Sequence, residues 1–539
     1  MAGWNSRRSF GRLRNIDPTR LQRLRASGRL GFRSFPIPIM ALESELRLAF
    51  PRTALSSILS HRLICRAPRE RHPQVLVVGH FDTPELALSD AGIAVRTYKA
   101  GTRWLQTVKC APRSARSVAS HREWEQPFAG YFDFSAIDVP DVREILEAQA
   151  ALLVPLFVTR FRRETRIAQP RSGVRLLVMI DTGKILAGER EIPIHEAKLK
   201  LAQGSEIDLL NFAIELAENL PLCPFDQTKA QRGFRLLCRE ANRPATAGKS
   251  PVIPTWTALQ AFRALATQEM RCWQANVYGA MASPAPEFVH QFRVSLRRLH
   301  TLLKVYKSIL PREFVATWSD ILGKLAAGTD EARDLDVLRE SILQPVLESE
   351  NCSALEALMR RSMDACRTAH QAERGSLSAI ENGVSLLMFA KALTTLPDDG
   401  AAEDLPLFAR AQLKRMRSRA RKRLGSASQT CTPKAAHQLR IALKHLRYSC
   451  EFFAPLFDQL SMARLAKDAA TVQDELGFLN DLNIAWNRLG DWAQDDPGLL
   501  AARARVASWH AGRAAKSLAT VFDEAKALLG QHRRWRHVI

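Results

Sequence analysis

The second half of the sequence repeats itself at a fixed distance. The segment HQFRVSLRRLH, which begins at residue 290, matches HQLRIALKHLR, which begins at residue 437. Farther along, RDLDV at 333 matches NDLNI at 480 with the same offset of 147 residues. Two separate matches that share one offset indicate a duplicated unit. Because both copies lie in long patterns rich in Ala, Leu and Arg, they predict a duplicated helical bundle from residue 255 onward.

The first half of the sequence has a different texture. Short runs such as HPQVLVVGHFDT and RLLVMIDTGKIL are separated by Gly, Pro or Asp turns. They predict many short antiparallel strands in a barrel or sandwich, with helical stretches at about 137–155 and 205–220. We therefore expect an α+β multidomain chain. A basic extension at 1–39 precedes a β-rich domain at 40–240, and a linker that contains Pro, Gly and Ser follows at 241–254. The helical domain occupies 255–539, with repeats at about 255–392 and 407–535.

The charge of the chain predicts an anionic partner. Lys and Arg number 78 against 55 Asp and Glu, so the formal net charge is +23. Such a balance favours nucleic acid, nucleotide, polyphosphate or an anionic membrane surface. Residues 1–39 carry nine Arg and one acid, which is typical of a basic arm or a transit-like leader, although a start at Met40 is an equal alternative.

Two function classes are disfavoured by what the sequence lacks. No apolar run reaches the roughly 18 residues of a membrane-spanning helix. The nine cysteines include no C-x-x-C pair, so no thiolate metal site or disulfide framework is predicted, and a reducing cytoplasm is the expected compartment.

The repeated helices carry stripes of basic residues. Side chains three and four positions apart share a helix face. The first stripe comprises His290, Arg293, Arg297, His300 and Lys304, and the second comprises Lys434, His437, Arg440, Lys444 and Arg447. No acid interrupts either stripe, and residues 405–450 hold twelve Lys or Arg without one Asp or Glu. This pattern favours anion binding over an ordinary solvated face. Aromatic platforms are sparse and no nucleic-acid signature is present, so a bare phosphate chain is the better ligand.

Charged residues also alternate along the predicted strands. Glu43, Glu45 and Arg47 share one face of a strand, and Leu46 and Leu48 share the other. Glu123 and Glu125 likewise share a face, and further bases lie on other segments at Arg96, Lys109, Arg163, Arg175 and Lys229. The spacing alone leaves two alternatives open. The charged side faces water, or it faces the inside of a barrel, where carboxylates hold a divalent cation and bases hold phosphates.

The helical half resembles the CHAD domain family. The resemblance rests on VHQFRVSLRRLH with ARDLDV and on AHQLRIALKHLR with LNDLNI, and it extends over about 255–535. It implies two packed helical bundles whose basic faces bind inorganic polyphosphate. Arg333, paired with Asp334 or Asp336, is expected to orient helices. The positions implied in polyphosphate binding are His290, Arg293, Arg297, Arg298, His437, Arg440, Lys444 and Arg447.

The β-rich half resembles the CYTH domain family, the triphosphate tunnel fold. ALESELRLAF is similar to the family's Glu-x-Glu-x-Lys opening, with Arg47 in place of Lys, and RWLQTVK, HREWE, PLFVTRFRRE, DTGKI and TKAQRGFRL follow in the family's order. The resemblance implies an eight-stranded antiparallel β-tunnel that binds triphosphate compounds with Mg²⁺ or Mn²⁺. Members fused to CHAD resemble inorganic triphosphatases, which convert triphosphate to pyrophosphate and phosphate.

The CYTH resemblance also implies residue roles. The implied catalytic residues are Glu43, Glu45 and Arg47. The implied metal ligands are Glu43, Glu45, Glu123, Glu125 and Glu196. The implied phosphate-binding residues are Arg47, Arg96, Lys109, Arg163 and Lys229.

The sequence departs from the CYTH pattern in three ways. Arg47 replaces a Lys, and Tyr98 stands where an Arg is frequent. HEAKLKL replaces a strand usually patterned Glu-x-Glu-x-Glu, so Lys198 and Lys200 reverse two charges. The alternative function is therefore a non-catalytic polyphosphate-binding or granule-associated scaffold protein. Adenylate cyclase and thiamine-triphosphatase activities share the fold family and stay open as a third alternative, and the lack of a motif that reads a nucleobase favours an inorganic substrate.

Overall fold

The computed structural model describes residues 45–100, 103–110, 122–350, 352–378, 380–397, 404–530 and 535. Glu43 and the basic extension at 1–39 lie outside these residues. The chain divides into two compact units, with the boundary between Arg243 and Pro244.

The first unit is built on one antiparallel sheet. Its strands are β1 (Glu45–Ala49), β2 (Gln74–Asp82), β3 (Ile93–Ala100), β4 (Arg103–Cys110), β5 (Arg122–Pro127), β6 (Val154–Ala168), β7 (Arg175–Ala187), β8 (Arg190–Gln203) and β9 (Cys223–Pro224). They are hydrogen-bonded in the order β5-β4-β3-β2-β6-β7-β8-β1-β9. The expected antiparallel β-rich domain is therefore confirmed. Nine strands replace the expected eight, because the two-residue β9 pairs with Leu48 and Ala49 of β1. Over the described residues the sheet is open, with β5 and β9 at its edges.

Six short helices lie in the described residues of the first unit. They are α1 (Leu55–Ser60), α2 (Arg62–Cys65), α3 (Ala87–Asp90), α4 (Pro140–Gln149), α5 (Glu206–Ala217) and α6 (Lys229–Leu237). The two helical stretches expected from the sequence correspond to α4 and α5, and each is shorter than expected. On the apolar face of the sheet, α4 buries Val142 and Leu146 in a cluster with Val95 and Val108.

Helix α6 packs on the opposite face of the sheet. It begins with a capping box between Thr228 and Gln231. Phe234 packs against a cluster that includes Phe157 and Phe161. A Cβ at Gly233 would lie 2.1 Å from the ring of Phe157, so only glycine permits this close approach. This packing places the polar residues at the start of α6 against the charged strand positions.

The second unit is helical. Its helices are α7 (Ala258–Ala282), α8 (Pro286–Val305), α9 (Arg312–Ala327), α10 (Asp330–Val337), α11 (Gln344–Ser349), α12 (Ser353–Ser378), α13 (Ile380–Thr395), α14 (Leu405–Thr430), α15 (Pro433–Phe453), α16 (Gln459–Asp495) and α17 (Leu500–Gly530). A π-helical segment, Leu338–Leu343, joins α10 to α11. None of the helices in the described ranges is long and apolar enough to cross a membrane.

The predicted duplication is visible in the packing of the helical unit. Pro286 and Pro433, which are 147 residues apart, both stand in the first turn of their helices. Thr257 and Asp404, at the same offset, cap α7 and α14 and form an antiparallel bridge with each other. Equivalent helices also touch: α7 contacts α14, α8 contacts α15, and α12 contacts α17. The two copies therefore pack against each other through matching elements.

Candidate functional sites

One face of the sheet collects most of the charged residues that the sequence singled out. Directly paired residues of an antiparallel ladder point to the same side. Arg47 of β1 pairs with Lys198 of β8, and Glu196 of β8 pairs with Asp181 of β7, which pairs with Arg163 of β6. The alternation along each strand therefore places these side chains on one face. Here they form a carboxylate–base network, whose members are Glu45, Arg47, Arg163, Asp181, Glu196, Lys198, Lys229 and Arg232.

Glu45 is held by two bases. Arg47 Nη2 lies 2.5 Å from Glu45 Oε1, and Lys198 Nζ lies 2.5 Å from Oε2. Burial raises the pKa of Glu45, but the hydrogen bond from Lys198 and the charge of Arg47 outweigh burial and hold the pKa below its ordinary value. Glu45 is therefore an ionised carboxylate at neutral pH.

Asp181 and Glu196 lie deeper in the same network. The side chain of Asp181 is fully buried, and Arg163 donates to both of its oxygens at 2.7 Å. Lys229 Nζ lies 2.6 Å from Asp181 Oδ2 and also contacts Glu196, whose other oxygen lies 2.6 Å from Arg232 Nη2. Burial raises the pKa of Asp181, and the hydrogen bond from Arg163 more than compensates, so the net pKa is lowered. Two carboxylates without solvent access are thus stabilised by three bases.

A second polar group lies on strands β3, β4 and β5. Lys109 Nζ lies 2.8 Å from Glu123, and the hydroxyl of Tyr98 donates to Glu125. Burial lowers the pKa of Arg96, which Glu123 partly opposes. Arg96 Nε is buried and has no hydrogen-bond partner among the described residues. An unsatisfied buried donor of this kind is costly unless a ligand accepts its hydrogen bond.

The expected metal ligands are divided between these two groups. Glu45 and Glu196 belong to the carboxylate–base network, whereas Glu123 and Glu125 lie at the opposite end of the strand order. In the described part of the chain, no cluster of three or more His, Cys, Asp or Glu side chains could hold a metal ion.

The donor set of the network does not suit a divalent cation. All six carboxylate oxygens of Glu45, Asp181 and Glu196 already accept from Lys or Arg. Mg²⁺ and Mn²⁺ require carboxylate oxygens that are free to coordinate. The residues as described thus fit an anion better than Mg²⁺ or Mn²⁺.

Two members of the network were missed by the sequence analysis. Asp181 was detectable as one acid inside an otherwise apolar strand, RLLVMIDTGKILA. Arg232 was detectable because it follows Lys229 by three positions and therefore shares its helix face.

The helical unit brings both basic stripes together in a central basic cluster. Its members are Arg297, Arg333, Arg440, Lys444 and Arg447. Burial and, after it, the positive charges of its neighbours in the cluster together lower the pKa of Lys444 to about 7. Burial and the charges of Arg293, Arg333 and Arg440 likewise lower the pKa of Arg297. Cations that destabilise one another in this way favour the arrival of an anion.

The two copies differ at equivalent arginines. Arg293 Nη2 lies 2.6 Å from Asp330, and Nη1 donates to Thr329 at 2.7 Å. At the position equivalent to Asp330, the second copy has Gly477 beside Arg440. Arg440 Nε is buried and lacks a hydrogen-bond partner in the part of the chain that is described. The second copy therefore leaves its arginine more available to an anion.

Arg298 has a different environment from the rest of its stripe. Its side chain is 9% exposed, lies 2.7 Å from Glu269, and also contacts Glu451. The guanidinium carbon lies 5.0 Å and 4.9 Å from the ring centres of Tyr448 and Phe452. These contacts correct the expectation of a polyphosphate contact, because a buried and doubly paired guanidinium packs helices together.

Other stripe residues have mixed surroundings. Arg447 Nε lies 3.5 Å from Glu451, and His437 Nδ1 lies 2.8 Å from Asn480. Burial lowers the pKa of His290.

The RDLDV and NDLNI segments meet through Arg333. Arg333 pairs with Asp334 at 3.1 Å and with Asp481 at 3.3 Å, and so joins the two copies. The alternative partner Asp336 instead lies 2.9 Å from His370.

Comparisons with known proteins match each unit separately. The CYTH domain family matches residues 72–234, and the CHAD domain family matches residues 264–490. An inorganic triphosphatase of Haemophilus influenzae is 25% identical over 199 residues, which are 37% of this chain and 56% of that protein. The chain thus aligns with about half the length of this curated relative.

Solved structures with some similarity were also found. The CHAD domain from the plant Ricinus communis is 27% identical, with a TM-score of 0.47. The matched region covers 55% of this chain and 99% of the Ricinus communis domain. A Hippeastrum protein with a dominant triphosphatase activity is 17% identical, with a TM-score of 0.25, and covers 35% of this chain and 94% of its own.

Proposed function

Since this chain joins a CYTH domain to a CHAD domain, we propose that it hydrolyses inorganic triphosphate in the sheet unit and binds polyphosphate on the helical unit. Water attacks the terminal phosphorus, and the products are pyrophosphate and phosphate. The observation that carries this proposal is the carboxylate–base network, in which five bases and three carboxylates share one face of the sheet.

The exposure of the bases separates those that can reach a substrate from those that support them. The side chains of Arg47, Arg163 and Lys198 are 23%, 27% and 25% exposed. Lys229 and Arg232 are more deeply buried, and their contacts are with Asp181 and Glu196. We assign the first three to the phosphate oxygens. Phosphoryl transfer depends mainly on positioning and on stabilising charge, which fixed cations supply.

Glu45 is the carboxylate best placed to act on the attacking water. Its side chain is 15% exposed, against 0% for Asp181 and 3% for Glu196. Its lowered pKa keeps it ionised, so it can accept a hydrogen bond from water and orient it. Arg47, which contacts the same carboxylate, would hold the phosphate that water attacks.

The central basic cluster supports polyphosphate binding by the helical unit. Burial and neighbouring positive charges lower the pKa values of Arg297, Arg440 and Lys444 there, and a linear polyanion relieves that repulsion. We assign the contacts with polyphosphate to Arg297, Arg440, Lys444 and Arg447, and to Arg333 the joining of the two copies.

A non-catalytic polyphosphate-binding protein is the second candidate. It is favoured by the pairing of all six network carboxylate oxygens with Lys or Arg, because these bases compete with a metal for the carboxylates.

Phosphate release distinguishes the two candidates. Triphosphate, ATP and thiamine triphosphate are each incubated with the full chain in Mg²⁺, in Mn²⁺ and in EDTA. We expect release from triphosphate and at least about a 100-fold lower rate in Glu45→Gln. If no substrate releases phosphate in any condition, the proposed triphosphatase activity is wrong and the non-catalytic candidate remains. If Glu45→Gln and the parent protein release phosphate at equal rates, Glu45 has no role in the reaction.

A further inference from the structure

The carboxylate–base network carries an excess of positive charge before any ligand arrives. Its five bases outnumber its three carboxylates by two. Glu45 is the most exposed of the three carboxylates. Arg47 Nη2 and Lys198 Nζ each lie 2.5 Å from one of its two oxygens. A divalent cation bound at Glu45 would lie close to both of these bases and would be opposed by like-charge repulsion.

Lys198 stands where a cation is useful to a phosphate chain. It pairs in register with Arg47 on β1 and with Met179 on β7, so its side chain lies on the network face. Its ammonium contacts Glu45 while the side chain remains 25% exposed. An ammonium is a compact point charge with three donors, so it can hold Glu45 and still donate to phosphate oxygens.

We propose that Lys198 takes the place of a divalent metal, so that the sheet unit binds the triphosphate anion itself rather than its metal complex. This inference rests on the proposed function, since it concerns the same substrate at the same site. It predicts that the ligand is uncomplexed triphosphate and that added Mg²⁺, which sequesters triphosphate in solution, does not tighten binding.

The test measures triphosphate binding by isothermal titration calorimetry on the full chain. Every protein carries Arg440→Ala and Lys444→Ala, so that the central basic cluster contributes little heat. We expect binding in EDTA, with no increase in affinity when Mg²⁺ replaces EDTA. Binding that requires Mg²⁺ would overturn the inference and leave the proposed function standing, whereas absence of binding in both conditions would overturn both.

Reversing the charge at Lys198 provides the second arm. Lys198→Glu should weaken binding in EDTA by at least about tenfold and make the remaining binding dependent on Mg²⁺, because Glu45 then gains a second carboxylate as neighbour. Lys198→Met removes the ammonium group but keeps a side chain of similar length. It should weaken triphosphate binding in EDTA, and the remaining binding should not depend on Mg²⁺.

The matched control is Lys184→Glu. Lys184 lies on β7, three residues from Asp181 and hence on the other face, where it pairs with Glu191 at 2.7 Å. It undergoes the same change in charge and should retain the affinity of the parent protein. Equal losses in Lys184→Glu and Lys198→Glu would attribute the effect to net charge and overturn the role of Lys198.

Discussion

Lys444 shows how neighbours set the chemistry of one residue. Burial and the charges of Arg297, Arg440 and Arg447 lower its pKa to about 7, so in the free protein it loses its proton within the physiological range. A bound polyanion favours the charged form, and binding therefore draws a proton onto Lys444. We therefore expect the proposed binding of polyphosphate to be coupled to pH through this side chain.

We expect the affinity of the full chain for long-chain polyphosphate to fall as pH rises. Lys444 is charged below its pKa of about 7 and neutral above it. The affinity should therefore fall by about tenfold between pH 6 and pH 8.5 at fixed salt. Lys444→Arg keeps its charge over this range and should flatten the profile. The neighbouring His445, whose pKa burial lowers to about 3, stays neutral throughout. A profile in Lys444→Arg that matches the parent would exclude Lys444 as the titrating group.

Asp181 illustrates the opposite case, a buried group whose charged form is favoured. Its pKa is lowered in the folded chain, so its contribution to stability is complete above its ordinary pKa and is lost as pH falls through the folded-state value. Asp181→Asn leaves Arg163 and Lys229 without this partner. We expect about 3 kcal/mol of local destabilisation at pH 7.

The measurement is hydrogen exchange by mass spectrometry on peptides from β7. Exchange should be faster in Asp181→Asn than in the parent at pH 7, and the difference should diminish in acid. Equal protection of β7 in both proteins at pH 7 would show that the ion pairs add nothing to stability.

At the scale of elements, duplicated helices have acquired different roles. Helices α10 and α16 place Asp330 and Gly477 beside the equivalent residues Arg293 and Arg440. The first copy pairs its arginine with an acid at this position, and the second copy has a glycine there. An ion pair therefore joins the helices of the first copy, whereas the equivalent arginine of the second copy remains available to a ligand.

Gly477→Asp tests this division. A Cβ at Gly477 would lie 3.4 Å from Arg440 Nε, which is an ordinary contact distance, so the side chain can be accommodated. The new carboxylate should pair with Arg440 and weaken polyphosphate binding about fivefold or more, measured by fluorescence titration. Gly477→Asn is the uncharged control and should bind nearly as the parent does. Asp330→Asn frees Arg293 and should strengthen binding. Similar affinities in Gly477→Asp and Gly477→Asn would contradict the division.

The sequence predicted what depends on local periodicity. The shared face of Glu45 and Arg47 follows from the alternation of a strand, and the basic stripes follow from the helical repeat. Contacts between distant segments were not predictable in the same way. Lys229 meets Asp181 from 48 residues away, and Arg333 meets Asp481 from 148 residues away. The stripe pattern also gave no indication that Arg298 turns inward, because its carboxylate partners come from other helices.

The whole molecule carries a formal net charge of +23, and its two units use positive charge differently. In the sheet unit, bases are interleaved with buried carboxylates, which fixes their positions for a short substrate. In the helical unit, the cluster cations lower one another's pKa values. The first arrangement suits positioning and chemistry, and the second suits attraction of a long polyanion.

The charge of the molecule yields a prediction about which polyanion binds. The full chain should bind long-chain polyphosphate in EDTA and release it as salt rises, because binding neutralises charge and frees counterions. Replacing Arg440 and Lys444 together with Ala should weaken binding and flatten its dependence on salt. Arg464→Ala with Lys467→Ala, two exposed bases of α16, removes the same charge elsewhere and should weaken binding much less.

A direct competition at fixed salt sets polyphosphate against single-stranded RNA of equal charge. The central basic cluster offers several cations that repel one another and few aromatic surfaces for stacking, so polyphosphate should displace RNA. Displacement of polyphosphate by RNA would instead identify nucleic acid as the ligand of the helical unit.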